Sequence, residues 1–248
     1  MTMIINANIP YRMTVIIPVF NEEENIDRVA QEFNTYFSQS KTKSKALFVD
    51  DGSSDSSFEK IKKICEDYSH FQYLKFKNNR GLSSAIKAGI DHIDTELIGY
   101  IDADLQTTPF DFDKLLEYIE DNDAVIGYRA KRKDTLNKKI QSKIANSIRR
   151  SLINDGIIDT GCPLKVIRTD VAKKIPFFDG MHRFIPALIK LQNGRIKQIE
   201  VQHFERVAGT SKFNLLNRSL KPLQDTFAYR WMRKRYINYD IEYDNLSQ

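Results

Sequence analysis

Short apolar runs alternate with stretches of helical periodicity through the first half of this chain, and the polar residues between them gather at the carboxyl ends of the runs. Met13 to Val19 is continuously apolar up to Pro18 and is followed by polar Asn21, the signature of a strand covered on both faces. A helix is expected next, with Glu22, Glu23 and Glu24 in its first turn at the positive end of the dipole and Ile26, Val29, Phe33 and Phe37 recurring along one stripe. The alternation continues with strands over Ala46 to Val49, Phe71 to Phe76, Leu97 to Ile101 and Ala124 to Gly127. Helices are expected between them near Ser56 to Tyr68, Ser83 to Ile93 and Phe110 to Glu120. Strands alternating with helices fold into a mainly parallel sheet with right-handed crossovers and helices on both faces. In such sheets ligands lie beyond the carboxyl ends of the strands. Asn21-Glu22, Asp50-Asp51-Gly52-Ser53 and Asp102-Ala103-Asp104 occupy those ends.

Composition narrows the class further. A chain of 248 residues, 41% hydrophobic and 29% charged, buries a real core, and no run approaches the ~20 apolar residues of a spanning helix. Mean hydropathy of -0.46 fits a soluble protein. Met1 to Arg12 lacks the pattern of a secretory signal, so a cytoplasmic location is the expectation. Cys65 and Cys162 have no CxxC partner and are expected to be free thiols. The formal charge of +5 calls for a negative partner without choosing among nucleotides, nucleic acid and anionic lipid.

Asp102-Ala103-Asp104-Leu105-Gln106 is the sharpest chemical signal: carboxylates at alternate positions and a carboxamide beyond them offer hard oxygen donors suited to Mg²⁺ or Mn²⁺ on a diphosphate. A solvated loop of Asx turns is the competing reading, and a second acidic pair, Asp50-Asp51, at another strand end favours the metal. His70, His92, His182 and His203 show no ligand spacing and read as surface or packed histidines. Gly81-Leu82-Ser83-Ser84 lacks P-loop spacing and reads as a loop that approaches a ligand at most.

Ile16-Ile17-Pro18-Val19-Phe20-Asn21-Glu22-Glu23-Glu24-Asn25, Val49-Asp50-Asp51-Gly52-Ser53-Ser54-Asp55, Asn79-Arg80-Gly81 and Asp102-Ala103-Asp104-Leu105-Gln106, in that order, resemble the motif series of family 2 inverting glycosyltransferases. The branch they resemble is that of dolichyl-phosphate mannose synthase and the bacterial polyprenyl-phosphate glycosyltransferases. The resemblance implies a GT-A type nucleotide-diphospho-sugar transferase fold, Rossmann-like, as a catalytic domain over residues 1–210. It implies a metal-dependent hexosyl transfer from a UDP- or GDP-sugar to a polyprenyl phosphate, supplying lipid-linked sugar for the cell envelope or lipid A. Pro18, Phe20 and Glu22 match the segment that contacts base and ribose, although the family often carries Tyr at the position of Phe20. Asp50 and Asp51 match the pair that reads the base and approaches the phosphates, with Gly81 nearby. Asp102, Asp104 and Gln106 match the donor motif, with Asp104 and Gln106 as metal ligands. Arg129 matches an arginine facing the phosphates, and Asp159 in Asp159-Thr160-Gly161-Cys162 an acceptor-side aspartate. Arg206, Ser211 and Lys212 match the Arg-x-x-Gly-x-Ser-Lys signature, and Phe177 to Phe184 is similar to the family.

An anionic lipid phosphate needs little help from a general base, because a phosphomonoester has a second pKa of about 6. It needs cations to bring two anions together, and Arg129, Arg132, Arg206 and Lys212 are candidates. A glycan or protein hydroxyl as acceptor would instead require a base, with Asp159 in that role. Residues 211–248 mix Phe213, Leu220, Phe227 and Trp231 with Arg230, Arg233, Lys234 and Arg235, as an interfacial segment does on anionic lipid; Pro222 is expected to divide it into two short helices. Many relatives end in spanning helices and this sequence contains no such run, so the expectation is an enzyme peripheral to the inner face of the cytoplasmic membrane or docked on a membrane protein, with a homo-oligomer as a candidate partner and nucleic acid not a partner. A non-catalytic basic module that binds lipid or nucleic acid is the reading from another class.

Overall fold

A computed structural model describes residues 11–130, 153, 155–205, 220–238 and 242. The first half follows the alternation: β1 (Met13–Val19), α1 (Ile26–Gln39), β2 (Ser44–Asp50), α2 (Ser57–Asp67), β3 (Phe71–Lys75), α3 (Leu82–His92), β4 (Leu97–Tyr100), α4 (Asp111–Leu116) and β5 (Ala124–Tyr128). Then come β6 (Lys165–Arg168), α5 (Thr169–Lys173), a 3-10 turn (Met181–Arg183), α6 (Ile185–Leu191), β7 (Ile196–Glu200) and α7 (Leu220–Arg235). Arg129 to Arg150 is rich in Lys and Arg, with Leu136, Ile140, Ile144 and Ile148 on one helical stripe in the sequence, and past Ala130 it lies outside the described residues.

The strands form one sheet in the order β3-β2-β1-β4-β6-β5-β7. Every pairing is parallel except those of β6, which runs against both β4 and β5. β5 therefore does not follow β4 across the sheet, as simple alternation implies. The period of two along β1 decides which side chain faces which layer. Val15, Ile17 and Val19 pack with Val29, Phe33 and Tyr36 of α1, while Ile16 packs on the other side with Ala85, Ile86 and Ile90 of α3. Covering on both faces is what permits seven consecutive near-apolar positions in β1.

Two expectations are corrected. Helix α1 begins at Ile26, so Glu22, Glu23 and Glu24 lie in the preceding loop, and Asp27 is the acidic residue of its first turn. That loop is held in place by its own hydrogen bonds: Ser57 Oγ accepts Glu22 N–H (2.8 Å), and Glu23 Oε2 accepts Ser56 N–H (3.0 Å). Helix α7 is continuous through Pro222, which occupies its first turn, where a missing N–H interrupts no intrahelical bond.

Candidate functional site

At the carboxyl end of β2 the chain turns sharply after two buried carboxylates. Gly52 has φ 72°, and a Cβ there would lie 2.7 Å from the carbonyl carbon of Asn78, so only glycine lets the loop of residues 78–81 close over the turn. Asp51 is what that loop closes on: its carboxylate accepts Asn79 Nδ2 (2.9 Å) and the N–H groups of Arg80 (2.6 Å) and Gly81 (2.8 Å). Burial raises its pKa, the two N–H bonds work against that rise, and neighbouring Asp50 adds to it. The Gly81 N–H is thus committed to Asp51 within the protein. Asp50 is fully buried; its Oδ1 accepts Ser53 N–H (3.2 Å), and its Oδ2 has no hydrogen-bond partner among the described residues. Pro18, next to last in the neighbouring strand, is half-buried, and Phe20 and Glu22 follow in the loop that Ser53 and Ser57 lace to the Asp50 turn.

Two strands away, β4 ends in the second acidic turn. Tyr100 Oη donates to Asp102 Oδ1 (2.7 Å), and Asp104 Oδ1 accepts Gln106 N–H (3.2 Å). Between Asp104 and Gln106 the backbone of Leu105 takes φ 49°, a left-handed conformation uncommon for a residue with a Cβ, while its side chain is buried in the core. That anchored turn directs Gln106 back toward Asp104, and the Gln106 carbonyl is held by Phe204 N–H (2.9 Å) and the His203 ring (3.1 Å). Burial first, and the charge of Asp104 second, push the Asp102 carboxyl up to about 6, with the Tyr100 hydroxyl opposing them.

The antiparallel strand completes the rim. Because β6 opposes its neighbours, its first residues, and the loop leading into them, arrive where the other strands end. Asp159 in that loop forms a two-pronged ion pair with Arg129 at the end of β5: Arg129 Nε to Oδ2 is 2.7 Å, Nη2 to Oδ1 is 3.1 Å, and the Arg129 backbone N–H adds a third bond at 3.3 Å. Their side chains are only 7% and 9% exposed. Lys165, on β6 opposite Tyr100, is also buried.

On the far side of Asp51, Ser83 at the start of α3 accepts the Gly180 N–H (3.1 Å) and lies 2.9 Å from His182 Nδ1. With one lone pair engaged, the Ser83 hydroxyl donates to a neutral imidazole. Burial, then the charges of Arg183 and Lys165, depress the His182 pKa to about 3. The packed reading of His182 from sequence therefore holds, and it carries a pH dependence. Below the ordinary value of 6.5 the unfolded chain takes up a proton here that the native protein refuses, so the His182 contribution to stability falls as pH drops from 6.5 toward 3. The slope is at most about 1.4 kcal/mol per pH unit. Denaturant titrations between pH 7 and 4 should show this as a difference between two proteins, His182→Gln losing less stability than wild type as pH falls, because the Asp102 carboxyl, pushed up to about 6, acts in the opposite direction in both.

The structure thus brings Pro18, Phe20, Glu22, Asp50, Asp51, Gly81, Asp102, Asp104, Gln106, Arg129 and Asp159 to one edge of the sheet. Arg132, Arg206, Ser211 and Lys212 lie outside the described residues. Cys65 and Cys162 are free, half-buried and buried respectively. Tyr100 and Lys165 escaped the sequence reading, since an apolar strand residue and a strand lysine carry no spacing signal. Among the described residues no three or more His, Cys, Asp or Glu side chains are grouped to hold a metal ion. A donor set of one carboxylate and one amide oxygen fits a divalent ion that takes its other ligands from phosphates and water, as Mg²⁺ does.

Known proteins resemble this chain in sequence and in fold. The model of the family described as glycosyl transferase family 2 matches residues 14–176. The chain is 32% identical over 207 residues to an undecaprenyl-phosphate 4-deoxy-4-formamido-L-arabinose transferase of Salmonella choleraesuis, covering 83% of this chain and 63% of that protein. It is 29% identical over 222 residues to a dodecaprenyl-phosphate galacturonate synthase of Rhizobium johnstonii, covering 87% and 65%. The chain thus spans just under two thirds of these relatives. Among solved structures, glucosyl-3-phosphoglycerate synthase of Mycobacterium tuberculosis, in complex with Mn²⁺, UDP and its product, superposes with a TM-score of 0.68 over 90% of this chain and 80% of that one at 13% identity. A mannosyltransferase of Pyrobaculum calidifontis in complex with GDP-mannose and Mn²⁺ gives 0.62 over 93% and 66% at 14% identity. At these identities the likeness establishes the GT-A fold.

Proposed function

This chain belongs to glycosyl transferase family 2, and on that footing we propose that it transfers a sugar, with inversion, from a nucleotide diphosphate sugar to a polyprenyl phosphate. The observation that carries the reading is the rim on which the ends of β2 and β4 each present a carboxylate pair beside an Arg129–Asp159 ion pair. The unpartnered Oδ2 of Asp50 is a buried acceptor suited to an N–H of the nucleotide base, the kind of group whose burial costs energy until it is paired. Asp51 holds the loop of residues 78–81 in place, so the two members of this pair divide binding from positioning. Pro18, Phe20 and Glu22 wall the nucleoside, and Gly81 lets the loop approach it. Asp104 and Gln106 would hold Mg²⁺ or Mn²⁺, which when bound neutralises charge on the leaving diphosphate. Asp102 stands behind them with its carboxylate oriented by Tyr100.

The acceptor assignment rests on Asp159. Both of its oxygens are engaged by a guanidinium, where a general base needs one of them turned to an incoming hydroxyl. A phosphate acceptor arrives already anionic and competes for Arg129, with Arg206, Ser211 and Lys212 as further contacts. The relatives named above are polyprenyl-phosphate sugar transferases, which supports the same class of acceptor. The test is a radiolabel screen of UDP- and GDP-sugars against a polyprenyl phosphate, with Mg²⁺ or Mn²⁺. Label entering the organic phase is the expected result. Lipid or nucleotide binding with no transfer to any acceptor would leave only a binding module.

Residues 211–248 serve in this reading as the membrane-facing part of the enzyme. One face of α7 buries Thr226 and Tyr229 against the domain, and the opposite face exposes Phe227 (55%) and Trp231 (63%) beside Arg230, Lys234 and Arg235. Arg233 belongs to the inner side, where it donates to the carbonyl of Ile153 (2.6 Å). Among the described residues no helix is long and apolar enough to cross a membrane. Aromatic anchors ringed by cations suit the anionic inner leaflet. Reversing Arg230, Lys234 and Arg235 to Glu should lower binding to phosphatidylserine vesicles by at least tenfold at low salt. Binding by the wild type should fall as salt rises; salt-independent binding would remove the electrostatic part of the proposal.

A further inference from the structure

The Lys165 side chain is enclosed in the sheet, 3% exposed, with no carboxylate in ion-pair contact among the described residues. An ammonium so placed is costly unless its donors are matched. Its Nζ donates to the carbonyl oxygen of Cys162, with Pro163 O at 3.4 Å, and sits 5.1 Å from the centre of the Tyr100 ring on the adjacent strand. Tyr100 in turn orients Asp102 (2.7 Å). The loop that Lys165 ties down is a single structured turn. Cys162 N–H donates to Asp159 O (3.4 Å), Gly161 N–H to Asp159 Oδ1 (3.2 Å), and Asp159 holds Arg129. One side chain therefore touches the strand that ends in the donor carboxylates and the turn that carries Asp159.

We infer that Lys165 is a positioning residue that clamps the Asp159–Pro163 turn to the Tyr100–Asp102 strand end, so that the acceptor-side Arg129–Asp159 pair is presented at a fixed place relative to the donor site. The inference deepens the sugar-transfer reading and rests on it for its kinetic arm. Its structural arm stands apart, because Cys162 reports on the clamp directly. Cys162 is 1% exposed, its thiol pKa is raised by burial, and its own carbonyl is the group Lys165 holds. Cys65, half-buried on α2, serves as the internal control.

The experiment is iodoacetamide labelling followed by mass spectrometry, alongside steady-state transfer kinetics, on wild type and Lys165→Met. Methionine keeps the volume of the stem and removes the donors. The clamp predicts at least tenfold faster labelling of Cys162 with Cys65 unchanged, and at least a tenfold rise in KM for polyprenyl phosphate with donor affinity within twofold of wild type. Unchanged Cys162 labelling, or equal acceleration at both cysteines, overturns the inference, the latter because it marks general loosening. Should Lys165→Met fail to fold, Lys165→Gln, which retains a weaker donor, decides by the same two ratios. If the wild type itself transfers no sugar, the functional reading fails while the labelling ratio still judges the clamp.

Discussion

Asp104→Asn should abolish metal-dependent binding of the nucleotide sugar and lower turnover by on the order of a thousandfold, the scale on which losing one fixed electrostatic partner of a developing charge is felt. Asparagine is the informative replacement. It still offers an oxygen to the Gln106 N–H, which Asp104 Oδ1 accepts at 3.2 Å, so the left-handed turn at Leu105 keeps its support while the charge is lost. The apo protein should melt near the wild-type temperature. Titration of a UDP- or GDP-sugar with and without Mn²⁺ separates the outcomes, and a metal-dependent increment equal to that of wild type would remove Asp104 from the site. Gln106→Ala should weaken the increment less, because it withdraws a neutral oxygen rather than a charge.

The second large effect is expected at the Arg129–Asp159 pair. Both side chains are below 10% exposed and share two bonds in fork geometry, so removing either takes both of those bonds from a buried charge. Arg129→Met or Asp159→Asn alone should cost about 3 kcal/mol. The double substitution should cost less than the sum, since no orphaned charge remains. Catalysis separates the two residues where stability does not. With a phosphate acceptor, Arg129→Met should raise acceptor KM by about a hundredfold, the loss of a charge-assisted contact. Asp159→Asn should keep measurable turnover with a flat alkaline limb. Total loss of turnover in Asp159→Asn, despite a folded protein and normal acceptor binding, would mark Asp159 as a base and favour a hydroxyl acceptor.

The first four strands and three helices were legible because their side-chain periods are unmixed, and one face or two of each is buried in consequence. The acidic turns were legible for a related reason: in a parallel sheet the ends of β2 and β4 must lie on one edge, so Asp50-Asp51 and Asp102-Asp104 converge without any knowledge of loops. The direction and place of β6 were not legible. Leu164 to Ile167 reads as a strand, but nothing in a four-residue apolar run says that it inserts between β4 and β5 or points the other way. Missing that insertion, sequence reasoning set Arg129 and Asp159 on separate duties, whereas the fold joins them. Glu22 to Glu24 misled because acidic residues favour a helix start and a loop equally; the serines at 56 and 57 that hold them arrive from another strand end. Pro222 misled because its effect depends on whether it falls in the first turn of a helix or later.

The lone opposing strand also governs the order in which the molecule is completed. β5 and β7 reach the rest of the sheet only through β6, whose Lys165 pairs with Tyr100 on one side and Ile126 on the other. A nascent chain that ends before residue 165 has β4 with an unpaired edge and β5 with nowhere to dock, the exposed-edge condition that invites pairing with another chain. The half-sheet made first already carries the Asp50 and Asp102 turns, whereas Arg129, at the end of β5, is joined to that half only through β6. The complete rim therefore requires the complete sheet, and truncations between residues 128 and 165 should yield aggregates rather than a partly active enzyme.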